Sequence, residues 1–326
     1  MGVTSATTAR VTAGLPGPPR ASSRFQPSGE KRASGARSAT EAWRKRRRIA
    51  TGALLAVAAA LVLVAPAGAG LVDDAARYLE GRQQEDGGFA EPGRDADPSL
   101  TAWAVLGLRA GGRTLDGAAA YLAGKPYPTA TDLELRILAL AALGADVDGL
   151  ARQLESLRRP SGAIGPSLNS TVWGILALRA AGRPAGAATV RYLLGKQGKS
   201  GGWPWLIGVA PDSNDTAAAV QALRAAGVPA GSKAIRRALA FLGSLQNPDG
   251  GFELTAGRGS DASSTAWVIQ AFLAAGREPG QAAFTYLARL RRPDGSFRYS
   301  ARYATTPVWV TAQVLPALAR RPFPIR

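Results

Sequence analysis

Two carboxylates three residues apart, Asp212 and Asp215, are the best placed side chains in this sequence for acid chemistry. Such a pair resists carrying two negative charges, so one member keeps its proton to higher pH and can donate it. Asn214 stands between them, and an amide cannot deliver a proton in that way. Polar residues also precede other apolar segments: Asp95 and Asp97, Asn169, Asp261 with Ser263, and Thr305 with Thr306. A polar ring recognising a ligand's head group is one reading of them. Helix capping is the other, since their side chains accept bonds from the unpaired N–H groups of a first turn. The aromatic residues are equally two-sided. Trp103, Trp173 and Trp267 each follow a Thr by two residues, while Trp203 and Trp205 lie in a turn. They can line an apolar ligand site or face a cation with their π-systems, or they can fill a core.

Whatever the chemistry, it uses few residue types. The 326 residues include no Cys and no His, which removes disulfides, thiol nucleophiles, Cys or His metal sites and histidine acid/base catalysis. No metal or cofactor is expected. Arg109, Arg179 and Arg224 recur eight residues after their Thr, where they meet the negative end of a helix dipole better than they would clamp a diphosphate.

A repeated phrase supplies the elements that position these residues. Gln246-Asn247-Pro248-Asp249-Gly250-Gly251-Phe252 is followed by Thr265-Ala266-Trp267, and related copies begin at Gln84, Lys199 and Arg292, with a shortened copy at Arg159. The Gly pair frees the backbone for a reversal and the aromatic pins the chain back. Before each turn runs an amphipathic segment, such as Ile235, Leu239 and Leu242 at helical spacing. After it comes an apolar, Ala-rich segment such as Thr265 to Ala275, ending at a Gly. Outer segments start near Ala75, Ala118, Leu150, Ala188, Ser232 and Gln281; inner ones start near Thr101, Thr131, Thr171, Thr216, Thr265 and Thr311. The second pair lacks the Gly turn and has Lys125-Pro126-Tyr127-Pro128 instead. Terminal repeats as apolar as the middle ones favour a closed ring over an open solenoid.

The phrase Gln-x-x-Asp-Gly-Gly-Phe with Thr-Ala-Trp resembles the prenyltransferase and squalene-cyclase repeat over about residues 75 to 319. The resemblance implies an all-α fold, an α/α six-barrel or toroid of about twelve helices, with glutamines such as Gln246 and Gln84 binding neighbouring helix ends. Asp212 to Ala217 is similar to the acid motif of squalene cyclases, in which the middle Asp protonates the isoprenoid; Asn214 holds that position here. Asp261-Ala262-Ser263 falls where protein prenyltransferases carry a zinc ligand, with Ser263 in place of the Cys, so zinc-dependent prenyl transfer is not expected.

The first seventy residues are of another kind. Residues 1–48 are basic and poor in large aliphatics, so disorder is expected. Arg44 to Arg48 abut an apolar run from Ile49 to Val64, and residues 49–72 are expected to form a cleaved signal peptide or a signal-anchor helix. The toroid is placed at 73–320, extracytoplasmic, either secreted or membrane-anchored, with a short tail at 321–326. Residues 1–69 hold 11 basic and 2 acidic side chains of a +17 total. The remainder reads as a solvated surface, and no nucleic-acid binding is expected.

The leading expectation is a binding toroid whose mouth takes an apolar, perhaps isoprenoid, molecule or a protein partner. Its site candidates are Asp97, Trp103, Asn169, Trp173, Trp203, Trp205, Asn214, Asp261, Ser263 and Trp267. The alternative is a terpene cyclase or mutase-like enzyme using Asp212 and Asp215. A third reading is a carboxylate-pair glycosidase built on Asp132 and Glu134. A central cavity filled by side chains would remove both small-molecule readings and leave an outer-surface partner.

Overall fold

The structure is a computed structural model and describes residues 69–325. The basic tail and most of the expected signal or anchor segment lie outside the described residues. Ala69–Val72 belong instead to the first helix, where Leu71 and Val72 pack against the core. Among the described residues no helix is long and apolar enough to cross a membrane.

Six helix pairs follow one another: α1 (Ala69–Glu80) and α2 (Pro98–Ala110), α3 (Ala118–Ala123) and α4 (Ala130–Ala142), α5 (Asp148–Ser156) and α6 (Leu168–Ala180), α7 (Ala187–Gly195) and α8 (Ser213–Ala225), α9 (Lys233–Gly243) and α10 (Ala262–Ala274), α11 (Gln281–Leu290) and α12 (Pro307–Leu318). The even-numbered helices form an inner ring. Each packs against the next, and α12 returns to pack against α2, closing the toroid. One small departure from the all-α expectation is a hairpin of β1 (Phe252–Glu253) and β2 (Ser260–Asp261) leading into α10.

Burial follows the hydrophobic patterning. In outer helix α9, Ile235, Ala238 and Leu242 are buried, Leu239 is half-buried and Arg236 faces solvent. In inner helix α10, all ten residues from Ala262 to Ala271 are buried, as a helix sandwiched between outer helices and lumen must be.

The turns explain the repeated Thr. Its hydroxyl accepts the N–H of the turn's pinning residue: Phe89 to Thr101 at 2.8 Å, Ile164 to Thr171 at 3.0 Å, Trp203 to Thr216 at 2.9 Å, Phe252 to Thr265 at 2.9 Å and Phe297 to Thr311 at 3.0 Å. The glutamine assignment is corrected by one residue. Gln83, not Gln84, matches Gln246, because its amide donates to the Gly87 carbonyl as Gln246 does to that of Gly250. Gln83 also donates to Asp116 O, and Gln197 to Ala234 O, in the segments that open the following outer helices. Gln84 reaches only the neighbouring Arg82 carbonyl.

Polar contacts keep the inner helices parallel and in register. Arg109, Arg179 and Arg224 donate to Ala142, Ala225 and Ala274 at the last turns of α4, α8 and α10, as the dipole argument expects. At the other end Glu91 closes the ring: its carboxylate accepts the N–H groups of Val308 at 3.0 Å and Trp309 at 2.9 Å. Thr306, the cap residue of α12, makes no side-chain cap bond, so Glu91 supplies it from the first repeat.

Candidate functional site

The candidate side chains fall into two layers of the ring. The upper layer is the mouth, where the inner helices begin. Asp97, Asp212 and Asp261 are N-caps of α2, α8 and α10, and each accepts the N–H three residues on. Capping therefore accounts for much of the polar ring.

Asp215 is the exception, since its carboxyl is free to do more than cap. The Asn169 amide, from the first turn of α6, donates to Asp215 Oδ1 at 2.6 Å. Burial, with the neighbouring Asp212 charge as a second cause, pushes the Asp215 carboxyl up to about 7. Burial also raises Asp212, whose anion is favoured by the N–H groups of Asp215 and Asn214. The pair therefore divides into a capping carboxylate, Asp212, and a proton holder, Asp215. Asn214 is half-buried beside them, and its carbonyl accepts from the Ser213 hydroxyl at 3.3 Å.

Asp261 is buried and takes both the N–H and the hydroxyl of Ser264 at 2.7 Å; burial raises its carboxyl as well. Ser263 is buried, and its hydroxyl has no hydrogen-bond partner. Among the described residues no cluster of three or more metal-ligating side chains occurs.

The lower layer is aromatic. Trp103, Trp173 and Trp267 come from alternate inner helices and meet edge to face, with ring centroids 5.5 to 6.0 Å apart. A fourth ring comes from the chain's last residues: Phe323 stacks on Trp267 at 5.5 Å and meets Trp103 and Trp173 at 6.2 and 6.1 Å. Its N–H donates to Gln221 Oε1 of α8 at 2.8 Å. Phe323 and Ile325 are only 4% and 3% exposed. At this level the centre of the ring is thus occupied by the protein itself. Within the expected tail at 321–326, Phe323 lies among the lumen rings and Ile325 is buried in the core, and this apolar pair is the feature of the sequence that marks it.

Trp203 and the pair Asp132 and Glu134 are placed differently from expectation, whereas Trp205 stays at the mouth. Trp203 is fully buried beneath its turn, with its indole N–H donating to Leu193 O at 2.8 Å, so it pins the turn and is not open at the mouth. Trp205 is half exposed on a loop with Leu206, Ile207 and Val209, and its carbonyl accepts the Asn169 N–H at 3.0 Å. Asp132 and Glu134 do not form a working carboxylate pair. Asp132 is tied to Thr129 in a capping box, whereas Glu134 is fully buried with neither oxygen bonded.

Comparison with known proteins agrees with this geometry. Residues 183–307 match the family model for the squalene-hopene cyclase C-terminal domain. A protein from Actinoplanes is similar in structure with a TM-score of 0.61 and 21% identity, over 78% of this chain and 99% of that one. The type II terpene cyclase MstE from Scytonema gives 0.58 and 18%, over 77% and 97%. A glycosidase gives 0.55 and 14%, over 78% and 98%. No curated protein matches in sequence. The chain has a squalene-cyclase-like toroid fold. That fold serves more than one chemistry among these neighbours, so the site must decide between activities.

Proposed function

We propose that the protein is a terpene cyclase-like enzyme whose mouth receives the alkene end of an isoprenoid-class molecule and whose acid is Asp215. The observation that carries this reading is the protonatable Asp215 carboxyl, held by Asn169 above a layer of indoles. In the step proposed, the alkene π pair takes the Asp215 proton, leaving a carboxylate and a carbocation. The Asn169 N–H then stabilises the carboxylate, and indole faces the cation. Neighbouring structures support the isoprenoid class, since MstE is described in complex with geranylgeranyl dihydroxybenzoate as substrate.

A binding-only toroid for the same class of ligand is the second reading. It is supported by Asn214 at the place where the squalene-cyclase acid would stand, whereas the filled lower layer of the lumen counts against both readings at that depth. Incubation with farnesol, geranylgeraniol and their aryl derivatives separates the two. Cyclised product that disappears in Asp215→Asn supports the enzyme. Tight binding with no product from any of them supports the carrier.

A further inference from the structure

The aromatic filling of the lumen has two origins. Trp103, Trp173 and Trp267 are built into helices and cannot leave. Phe323 and Ile325 belong to the segment after α12, which carries no secondary structure of its own apart from a turn. Of the residues from Arg321 to Ile325, few polar bonds hold the segment in place: Arg321 N–H donates to Pro316 O, and Phe323 N–H to Gln221. Outside the ring, Arg320 pairs with Glu278 and lies over the Phe284 ring, which fixes the point where the chain turns inward.

Apart from the Gln221 Oε1 that takes the Phe323 N–H, the wall around this segment is not matched to it. Gln221 is fully buried and Gln270 is 1% exposed; they occupy equivalent positions on α8 and α10, nine residues into each helix. Gln221 Nε2 and Gln270 Oε1 have no hydrogen-bond partner. A buried donor and a buried acceptor left bare are costly, and the apolar side chains of Phe323 and Ile325 cannot satisfy them. An apolar chain carrying a hydroxyl or carbonyl group offers what the tail lacks: apolar surface for the indoles and a polar group for the two amides.

From this we infer that the segment after α12, Arg321 to Ile325, is an intramolecular plug in the lumen, and that an apolar ligand with one hydrogen-bonding group displaces it to bind against Trp103, Trp173, Trp267, Gln221 and Gln270. The inference builds on the isoprenoid-class reading but not on the Asp215 acid. A site occupied by the chain's own tail binds ligand only from its open fraction, so apparent affinity is reduced by that fraction.

The test removes the plug from the full chain by ending it at Arg321, with farnesol as the probe and quenching of tryptophan fluorescence as the readout. With an open fraction on the order of 1 to 10%, the shortened chain binds farnesol about ten- to a hundred-fold more tightly than the intact one. A folded shortened chain that binds no better, or not at all, overturns the plug. So does loss of the folded state on shortening, unless the intact-length variant Ile325→Cys shows release. The chain has no other cysteine, so its thiol-labelling rate reports the tail alone. Protection without farnesol and labelling that quickens several-fold with it supports the plug; protection that persists while farnesol binds overturns it. The two proposals fail separately: loss of turnover in Asp215→Asn bears on the acid alone, whereas tail release by farnesol in the chain that keeps Asp215 bears on the plug alone.

Discussion

The amide of Asn169 and the carboxyl of Asp215, 2.6 Å apart, join the first turns of two adjacent inner helices. The bond has two consequences that oppose each other. It favours the Asp215 carboxylate, as any donor to the charged form does, but burial and the Asp212 charge outweigh it and hold the proton on. The result is a carboxyl near the middle of its titration at neutral pH, oriented by a fixed donor. A group in that condition suits proton transfer in both directions.

Stability should therefore fall with rising pH. A carboxyl raised from its ordinary value of 3.8 to about 7 contributes stability that is fully present below the unfolded value and lost as pH rises through the folded one. Asp212, Asp261 and Glu134 are raised too and act with the same sign. Thermal midpoints measured between about pH 5 and pH 8 should decline, and Asp215→Asn should flatten the decline in part. If the variant kept the full slope, Asp215 would not be the proton holder. Any turnover should likewise fall above about pH 7, as the acid form is lost.

Glu134 offers the opposite experiment, a gain in stability by removal of charge. It is fully buried on α4, neither oxygen is bonded, and burial alone raises its carboxyl. Replacing an unsatisfied buried polar group by an apolar one of similar volume removes the desolvation cost without leaving a cavity. Glu134→Leu should stabilise the protein by about 1 to 3 kcal/mol, read as a raised denaturation midpoint. Destabilisation would mean that Glu134 has a partner, such as an internal water, that the leucine expels.

The ring was legible in the sequence because its cause is local and repeated. The Phe252 turn, its Thr265 tether and the apolar α10 are spelled within 23 residues; five copies of that grammar mark five of the helix pairs, and helical patterning alone marks the second. The site was legible only where it used the same grammar. Asp97, Asp212 and Asp261 were recognisable as caps because capping depends on the next three residues. The Asn169 to Asp215 bond spans 46 positions, the Phe323 to Gln221 bond 102 and the Glu91 to Val308 bond 217. No spacing rule reaches so far. The one-residue slip from Gln83 to Gln84 has another origin: two adjacent glutamines look alike until the Gly87 carbonyl selects one.

Gly250 tests the turn itself. Its φ is +88°, and a Cβ there would lie 2.6 Å from the carbonyl oxygen of Ala282 in α11. Gly250→Ala thus meets both a disfavoured backbone region and a collision with backbone that cannot move aside. A loss above about 1 kcal/mol is expected. Gly257 also has a positive φ, +85°, but a Cβ there meets nothing within 4 Å, so Gly257→Ala isolates the backbone strain. Equal losses at the two positions would remove the case for close approach at Gly250.

Glu91 tests whether closure of the ring is an energetic feature or only a geometric one. Its two oxygens accept the N–H groups of Val308 and Trp309, 217 and 218 residues away, at the start of α12. Thr306 takes a left-handed conformation with φ 45° and gives no side-chain cap. The first-turn donors of α12 therefore depend on a residue from the first repeat, with a negative charge at the positive end of the dipole. Glu91→Ala should cost about 1 to 2 kcal/mol, near the upper end for a lost cap because two donors are released at once. Glu91→Gln keeps one carbonyl acceptor and loses the charge, so it should cost roughly half as much. Hydrogen exchange supplies the decisive readout: the Val308 and Trp309 amides should lose protection in Glu91→Ala while the Ser264 amide, capped within its own repeat by Asp261, keeps it. Equal loss at all three would make Glu91 a contributor to global stability and not the clasp of the ring.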